Sequence, residues 1–222
     1  MQIEVIIEKK SHKLDAEEGK TILETLQEHG IHVLTAPCGG RGRCGKCTVE
    51  VEHMGEVLAC MTKVTDGMRI TIPEVQLRAQ KSKIAENGTV THYPADDGEG
   101  LDAACDIGTT TVVCHLIDGK TGEKLATVSE PSAQRSFGAD VLSRIQAAEA
   151  GKLEILKEQI IFQIAQMLRT LQKKTGRGEQ IQRLAVVGNT VMCHLFAGIS
   201  PVSIGVTPFM PQEFFGKEYT GE

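Results

Sequence analysis

PCGGRGRCGKCTVEVEHMGEVLACM, residues 37–61, carries four of the seven cysteines of this 222-residue chain. Cys38, Cys44, Cys47 and Cys60 are separated by five, two and twelve residues, and Gly39, Gly40, Gly42 and Gly45 lie among the first three. Thiolates are soft ligands that suit iron-sulfur centres, zinc or cuprous ion. A coil that wraps an inorganic core needs glycine, both for backbone with positive φ and for close approach of N–H groups to sulfur. Arg41, Arg43 and Lys46 add positive charge beside a centre that four thiolates leave net negative. The loop therefore has the chemistry of an electron carrier built on a 2Fe-2S cluster. The rival is structural zinc, because Cys44 and Cys47 form a C-x2-C pair. Zinc sites usually draw two such knuckles, whereas Cys60 stands alone.

Outward from the loop, Gln2–Glu8 alternates apolar and polar residues as a half-buried strand does, with His12–Leu14 as a hairpin partner. Thr21 followed by Glu24 has capping-box spacing, Ile22, Leu23 and Leu26 supply an apolar stripe, and Gly30 ends the helix. After the cysteines, Thr48–Val51 reads as a strand, His53–Glu56 as a turn and Val57–Cys60 as a second strand that brings the last cysteine back. Met68–Ile72 closes the unit before Pro73. Residues 1–75 thus form a compact α+β domain. They hold nine Lys/Arg against twelve Asp/Glu, too mild a balance for a strongly acidic docking face. His29 and His53 fall at turns, where a solvated ring is the plainer reading.

The element order and PCGGRGRCGKC resemble the plant-type and adrenodoxin-like 2Fe-2S ferredoxin domain, a β-grasp sheet packed on one helix. The resemblance implies that Cys38 and Cys44 ligate one iron and Cys47 and Cys60 the other. The first gap is one residue longer than the plant-type spacing and the last is shorter than in free-standing ferredoxins, which points to a fused module.

Residues 76–100 have no sustained period and end in DDGEG, as a linker does. Beyond them, residues 101–222 are expected to form a partial ribonuclease-H-like α/β domain. Leu101–Asp106, Thr111–Ile117 and Lys124–Val128 read as strands, Ala139–Ala150 and Leu153–Leu171 as helices, and Leu184–Val187 as a further strand. A helix capped by Asn189 or Thr190 follows. The turn DIGTTT, residues 106–111, resembles the first phosphate loop of the superfamily of acetate and sugar kinases, chaperone ATPases and actin. The resemblance implies that Thr109 and Thr110 donate to ATP phosphates, that Gly108 allows their approach, and that Asp106 holds Mg2+ through water. A Gly-Thr turn also joins ordinary hairpins, and that plainer reading stays open.

Together, PCGGRGRCGKC, DIGTTT, SFGADVLSRI and LAVVGNTVMCHLFAGISP resemble the ATP-dependent reductive activators of corrinoid proteins. In that family an electron passes through the cluster to the cobalt of an inactive corrinoid on a partner protein, and ATP drives the uphill step. The superfamily ATPase needs two lobes, and the sequence ends before completing one. It is therefore expected to be a fragment or a truncated product, without ATP turnover of its own. The alternatives are a redox-responsive nucleotide-binding or subunit-interaction module, and a plain ferredoxin with a non-catalytic tail.

Composition bounds the rest. A net charge of −5 with 4% aromatic residues gives no footprint for nucleic acid. No window approaches twenty apolar residues, so no membrane span is expected and the chain reads as cytoplasmic. An odd number of cysteines favours metal ligation and free thiols over a disulfide framework. Cys105, Cys114 and Cys193 are read as small core residues. A homodimer is one arrangement the sequence admits.

Overall fold

The computed structural model describes residues 1–74, 76, 100–216 and 218. Most of the expected 76–100 linker lies outside the described residues. Its first residue belongs to the domain before it, since the buried Gln76 side chain donates to the Lys46 carbonyl at 2.6 Å.

In the first domain β1 (Gln2–Ile7) and β2 (Lys10–Asp15) form an antiparallel hairpin. β5 (Arg69–Thr71) runs parallel to β1, β3 (Thr48–Val51) antiparallel to β5, and β4 (Gly55–Leu58) pairs with β3, giving the order β2-β1-β5-β3-β4. Successive strand residues face opposite sides. Ile3, Val5, Val49, Val51 and Ile70 therefore share the face that covers α1 (Ile22–Glu28), where Ile22, Leu23 and Leu26 are buried. Removing each such side chain from water contributes about 1.5–3 kcal/mol. The capping box forms as its spacing predicts: Glu24 N–H donates to Thr21 Oγ1 at 3.2 Å, and Thr21 N–H donates to the Glu24 carboxylate at 2.9 Å. Gly30 takes φ +68°, and Ile31 N–H returns to the Leu26 carbonyl.

One local expectation shifts. β4 is Gly55–Leu58, two residues earlier than the expected Val57–Cys60, so Cys60 sits in the turn beyond the strand. The cause is the Leu58 carbonyl, which accepts from both Met61 N–H and Thr62 N–H and bends the chain at that point.

The second domain begins with three antiparallel strands, β6 (Leu101–Ile107), β7 (Thr111–Asp118) and β8 (Lys124–Pro131). β9 (Ile181–Val187) joins parallel to β6, giving β8-β7-β6-β9, the strand order expected of a partial ribonuclease-H-like domain. α3 (Leu153–Thr175) covers the sheet through Leu156, Ile160, Ile164, Met167 and Leu171, each at most 3% exposed, which is the stripe its sequence spacing gives. α4 (Thr190–Ala197) follows β9, capped by Asn189, whose side chain accepts from Met192 N–H.

The helix expected over Ala139–Ala150 is shorter. α2 spans Val141–Ala147, starts where Asp140 accepts from Ser143 N–H at 2.8 Å, and passes into a π-helical turn over Ala148–Lys152. Gly151 at φ +82° separates it from α3. The late start is set by Asp140, whose extended backbone (φ −124°, ψ 168°) cannot continue a helix from the residues before it; Ala139 N–H donates instead to the Pro37 carbonyl of the first domain at 3.3 Å.

That bond belongs to a contact between the domains. Gln27 Nε2 donates to the Ser136 carbonyl at 2.9 Å, the Gln159 amide nitrogen lies 2.7 Å from His32 Nδ1, and Lys152 Nζ lies 4.0 Å from the Glu24 carboxylate. Among the described residues, no helix is long and apolar enough to cross a membrane.

Candidate functional site

The cysteine loop connects α1 to β3. All four of its glycines have positive φ, between 63° and 81°. This backbone curls so that the amides of Cys44, Arg43 and Arg41 donate to Cys38, which also makes a side-chain hydrogen bond with Cys44. Burial pushes the Cys38 thiol up, but those donors outweigh it and bring the thiol down to about 6. Cys47 and Cys60 form a second pair with their sulfurs 3.3 Å apart. Burial, then the hydrogen bond with Cys47, pushes Cys60 up to about 12, while the Gly42 amide donates to it.

Cys60 is held from two sides. Ala59 N–H donates to the Cys47 carbonyl at 2.9 Å, while Leu23 N–H at the start of α1 donates to the Ala59 carbonyl at 3.0 Å. Cys47 and Cys60 are buried and Cys38 and Cys44 half-buried, so the first domain's core lies behind the site and solvent in front.

This donor set fits a 2Fe-2S cluster. Two sulfurs on one tetrahedral metal, at a thiolate bond of about 2.3 Å, lie about 3.8 Å apart, close to the Cys47–Cys60 separation. The sulfurs stand as two pairs, and two thiolates per metal is what each iron of such a cluster takes. Backbone N–H groups aimed at sulfur are also the means by which proteins tune such a centre. His53, at φ +67° in the β3–β4 turn, is not part of the set, and His29 caps α1 with its Nδ1 on the Thr25 carbonyl.

The DIGTTT turn lies at the far end of β6, beside the end of β9. Asp106 is exposed near the end of β6, paired with Val113, and the turn that follows holds half-buried Gly108 and Thr109 and exposed Thr110, so three of the four sequence-predicted residues share the turn and the fourth lies on the strand leading into it. Asn189, from the loop after β9, donates to Thr109 Oγ1 at 3.1 Å.

Sequence reasoning missed the residue beneath this turn. Arg144 on α2 is fully buried and donates to the Thr109 carbonyl, to Gln134 Oε1 at 3.3 Å and to Met192 Sδ at 2.9 Å. Burial lowers the guanidinium to about 10, with Asp140 acting the other way, so the charge is present at neutral pH. Its spacing gives no hint of this, because an arginine in an amphipathic helix ordinarily faces water. Of the three remaining cysteines, Cys105 and Cys114 are buried as expected, and Cys193 is only half-buried, with its thiol 3.5 Å from the Gly188 carbonyl.

Fold and site together define an iron-sulfur protein in which a ferredoxin-like β-grasp domain docks on part of a ribonuclease-H-like domain. Residues 101–219 match the family model described as "RACo middle region", and residues 4–74 match that of a 2Fe-2S iron-sulfur cluster binding domain. The chain belongs to the RACo family. It is 27% identical, across 80% of its length, to the corrinoid activation enzyme RamQ of Eubacterium limosum, and covers 43% of that protein. Among solved structures, a reductive activator for corrinoid, iron-sulfur protein superposes over 95% of this chain and 51% of its own, with 24% identity and a TM-score of 0.50, a likeness of fold. The chain thus spans about half the length of these relatives.

Proposed function

We propose that this chain relays single electrons to a corrinoid protein through a 2Fe-2S cluster held by Cys38, Cys44, Cys47 and Cys60. The observation that carries this reading is the arrangement of the four sulfurs as two pairs, one receiving three backbone amides. The bound cluster would supply reversible one-electron chemistry. The chain's own residues do the rest: the loop amides and Arg41, Arg43 and Lys46 stabilise negative charge at the sulfurs, and the core behind Cys47 and Cys60 excludes water. Half-exposure of Cys38 and Cys44 leaves a short path to a docked partner.

In the same reading, the turn of Asp106, Gly108, Thr109 and Thr110 receives the phosphates of Mg2+-bound ATP, with Thr amides and hydroxyls as donors and Asp106 facing the metal through water. The name of RamQ supports a corrinoid protein as electron acceptor. Seven free thiols suit the reducing cytoplasm.

The test is an EPR and visible spectrum of anaerobically purified protein, with iron and zinc measured on the same sample. The reduced form is then mixed with a corrinoid protein in the cob(II) state under an excess of low-potential reductant, which supplies the driving force in place of ATP turnover. Two irons per chain, a rhombic signal on reduction, and conversion of cob(II) to cob(I) are expected. Zinc in place of iron overturns the cluster, and iron without cobalt reduction overturns the acceptor.

A further inference from the structure

Helix α2 touches both candidate sites at once. On one side the guanidinium of Arg144 holds the Thr109 carbonyl. On the other, Gln146 Oε1 accepts from the guanidinium of Arg41 in the cysteine loop. Ser143 packs under the same loop: a Cβ added to Gly39 would come within 3.7 Å of Ser143 Cβ and 3.3 Å of the Phe137 carbonyl. Residues three apart share a helix face, so Ser143 and Gln146 look toward the first domain while Arg144 looks away from it. A cavity of about 300 Å³ lies along this seam, bounded by Glu24, Arg41 and Cys60 on one side and by Ser143, Gln146 and Lys152 on the other.

Arg144 is chemically incomplete in its pocket. Its Nε has no hydrogen-bond partner among the described residues, and none of the ion pairs among them includes it. A buried cation is costly unless a negative group offsets it, and the Asp140 carboxylate that favours its charge makes no ion pair with it. Nearby, the turn that Arg144 grips is the one suited to a polyanion. The grip also has a direction. Across a trans peptide the C=O and the next N–H point opposite ways, so drawing the Thr109 carbonyl inward turns the Thr110 N–H outward, toward the side where a phosphate would sit.

We propose that Arg144 is a positioning residue that aims the Thr109–Thr110 peptide at nucleotide phosphate, and that α2 relays occupancy of that turn to the cysteine loop through Gln146 and Arg41. Nucleotide binding and the redox state of the cluster are then coupled within this one chain, before any partner docks. This rests on the phosphate-loop reading above. An added electron raises the negative charge on the sulfurs, and the Arg41 amide already donates to Cys38. Reduction therefore draws Arg41 toward the sulfurs and changes its hold on Gln146. Coupling of this kind is reciprocal: the factor by which nucleotide favours one redox state is the factor by which that state favours nucleotide.

The experiment measures Mg·ATP affinity by equilibrium dialysis on the cluster-loaded chain, oxidised and then reduced with dithionite. An affinity ratio of about fivefold or more between the two states is expected, at the lower end of typical couplings. Gln146→Ala removes an exposed side chain; it should keep iron content and oxidised-state affinity while the ratio falls toward one. Arg144→Met should lose about tenfold in affinity in both states, with partial recovery in Arg144→Lys, which restores the charge. Equal affinity in the two states of the wild type overturns the coupling, and a ratio unchanged in Gln146→Ala overturns the route. An absence of ATP binding in the wild type is a different result, which removes the nucleotide reading itself and the relay with it.

Discussion

Gln27 and Ser136, 109 positions apart in sequence, are joined by a buried hydrogen bond in which the Gln27 side-chain amide donates to the Ser136 carbonyl at 2.9 Å. Gln27 is 5% exposed and Ser136 2%, so neither group has water as an alternative partner. Gln27→Ala leaves the carbonyl unpaired in the seam between the domains. The expected cost is about 1–3 kcal/mol, or several degrees of melting temperature for a chain of this size. Differential scanning calorimetry of the variant checks this, and an unchanged melting profile would mean that the two domains do not hold each other through α1.

The same seam carries a pH dependence. Burial holds the His32 ring well below its ordinary value, at about 4, where it lies tilted 6.3 Å from the Phe137 ring and meets Gln159. The folded state keeps the ring neutral while the unfolded chain binds a proton below about 6.5. The stability this provides is complete above pH 6.5 and is lost as pH falls toward 4. The loss should reach roughly 1–2 kcal/mol by pH 5. Comparing denaturant midpoints at pH 7 and pH 5, His32→Gln should show a smaller drop than the wild type; an equal drop assigns the acid sensitivity to other groups.

Each of Cys38, Cys44, Cys47 and Cys60 replaced singly by serine should lower iron per chain by half or more, or shift the visible and EPR spectra, since alkoxide is a harder and poorer ligand for this centre than thiolate. Cys105→Ser and Cys114→Ser serve as controls. Those thiols face each other across the β6–β7 pair in the other core and should leave the spectrum intact. Four loop variants with wild-type iron and spectrum would remove the cluster assignment.

Local chemistry made much of this legible in the sequence. The capping box at Thr21 and Glu24, the glycine stop at Gly30 and the buried stripe of α3 are written within single turns of helix, and they stand where their spacing puts them. The four cysteines stand out in the sequence as candidate ligands because thiolate is a scarce ligand type and glycine marks backbone able to curl around a bound centre. Contacts between distant segments left no such mark. Nothing about Gln27, His32 or Gln146 in its own neighbourhood distinguishes it from a solvated polar residue. Arg144 reads as a surface arginine until the fold encloses it. The end of β4 was misplaced for a related reason: Leu58 to Met61 has enough apolar character for a strand, and only the bonds of Leu58 to Met61 and Thr62 decide that the chain turns.

The phosphate turn can be tested without removing any of its donor or metal-facing side chains. A Cβ added at Gly108 would lie 2.5 Å from the Thr111 carbonyl oxygen, and one at Gly188 would lie 2.7 Å from Ile107 Cγ1 and 3.0 Å from the Ile107 carbonyl. Backbone atoms cannot swing aside as a flexible side chain can, so Gly108→Ala must open the β6–β7 turn. Gly188→Ala must push the loop after β9 away from it and stretch the 3.1 Å bond from Asn189 to Thr109 Oγ1. Both changes spare the four cysteines, which lie in the other domain. Each should therefore weaken Mg·ATP binding by about tenfold or more, the scale on which small misplacements of positioned groups act, while iron content stays at the wild-type value. Isothermal titration with Mg·ATP, paired with iron analysis of the same samples, reads both quantities. Unaltered ATP affinity in both variants would place nucleotide binding away from this turn and return DIGTTT to an ordinary hairpin connection.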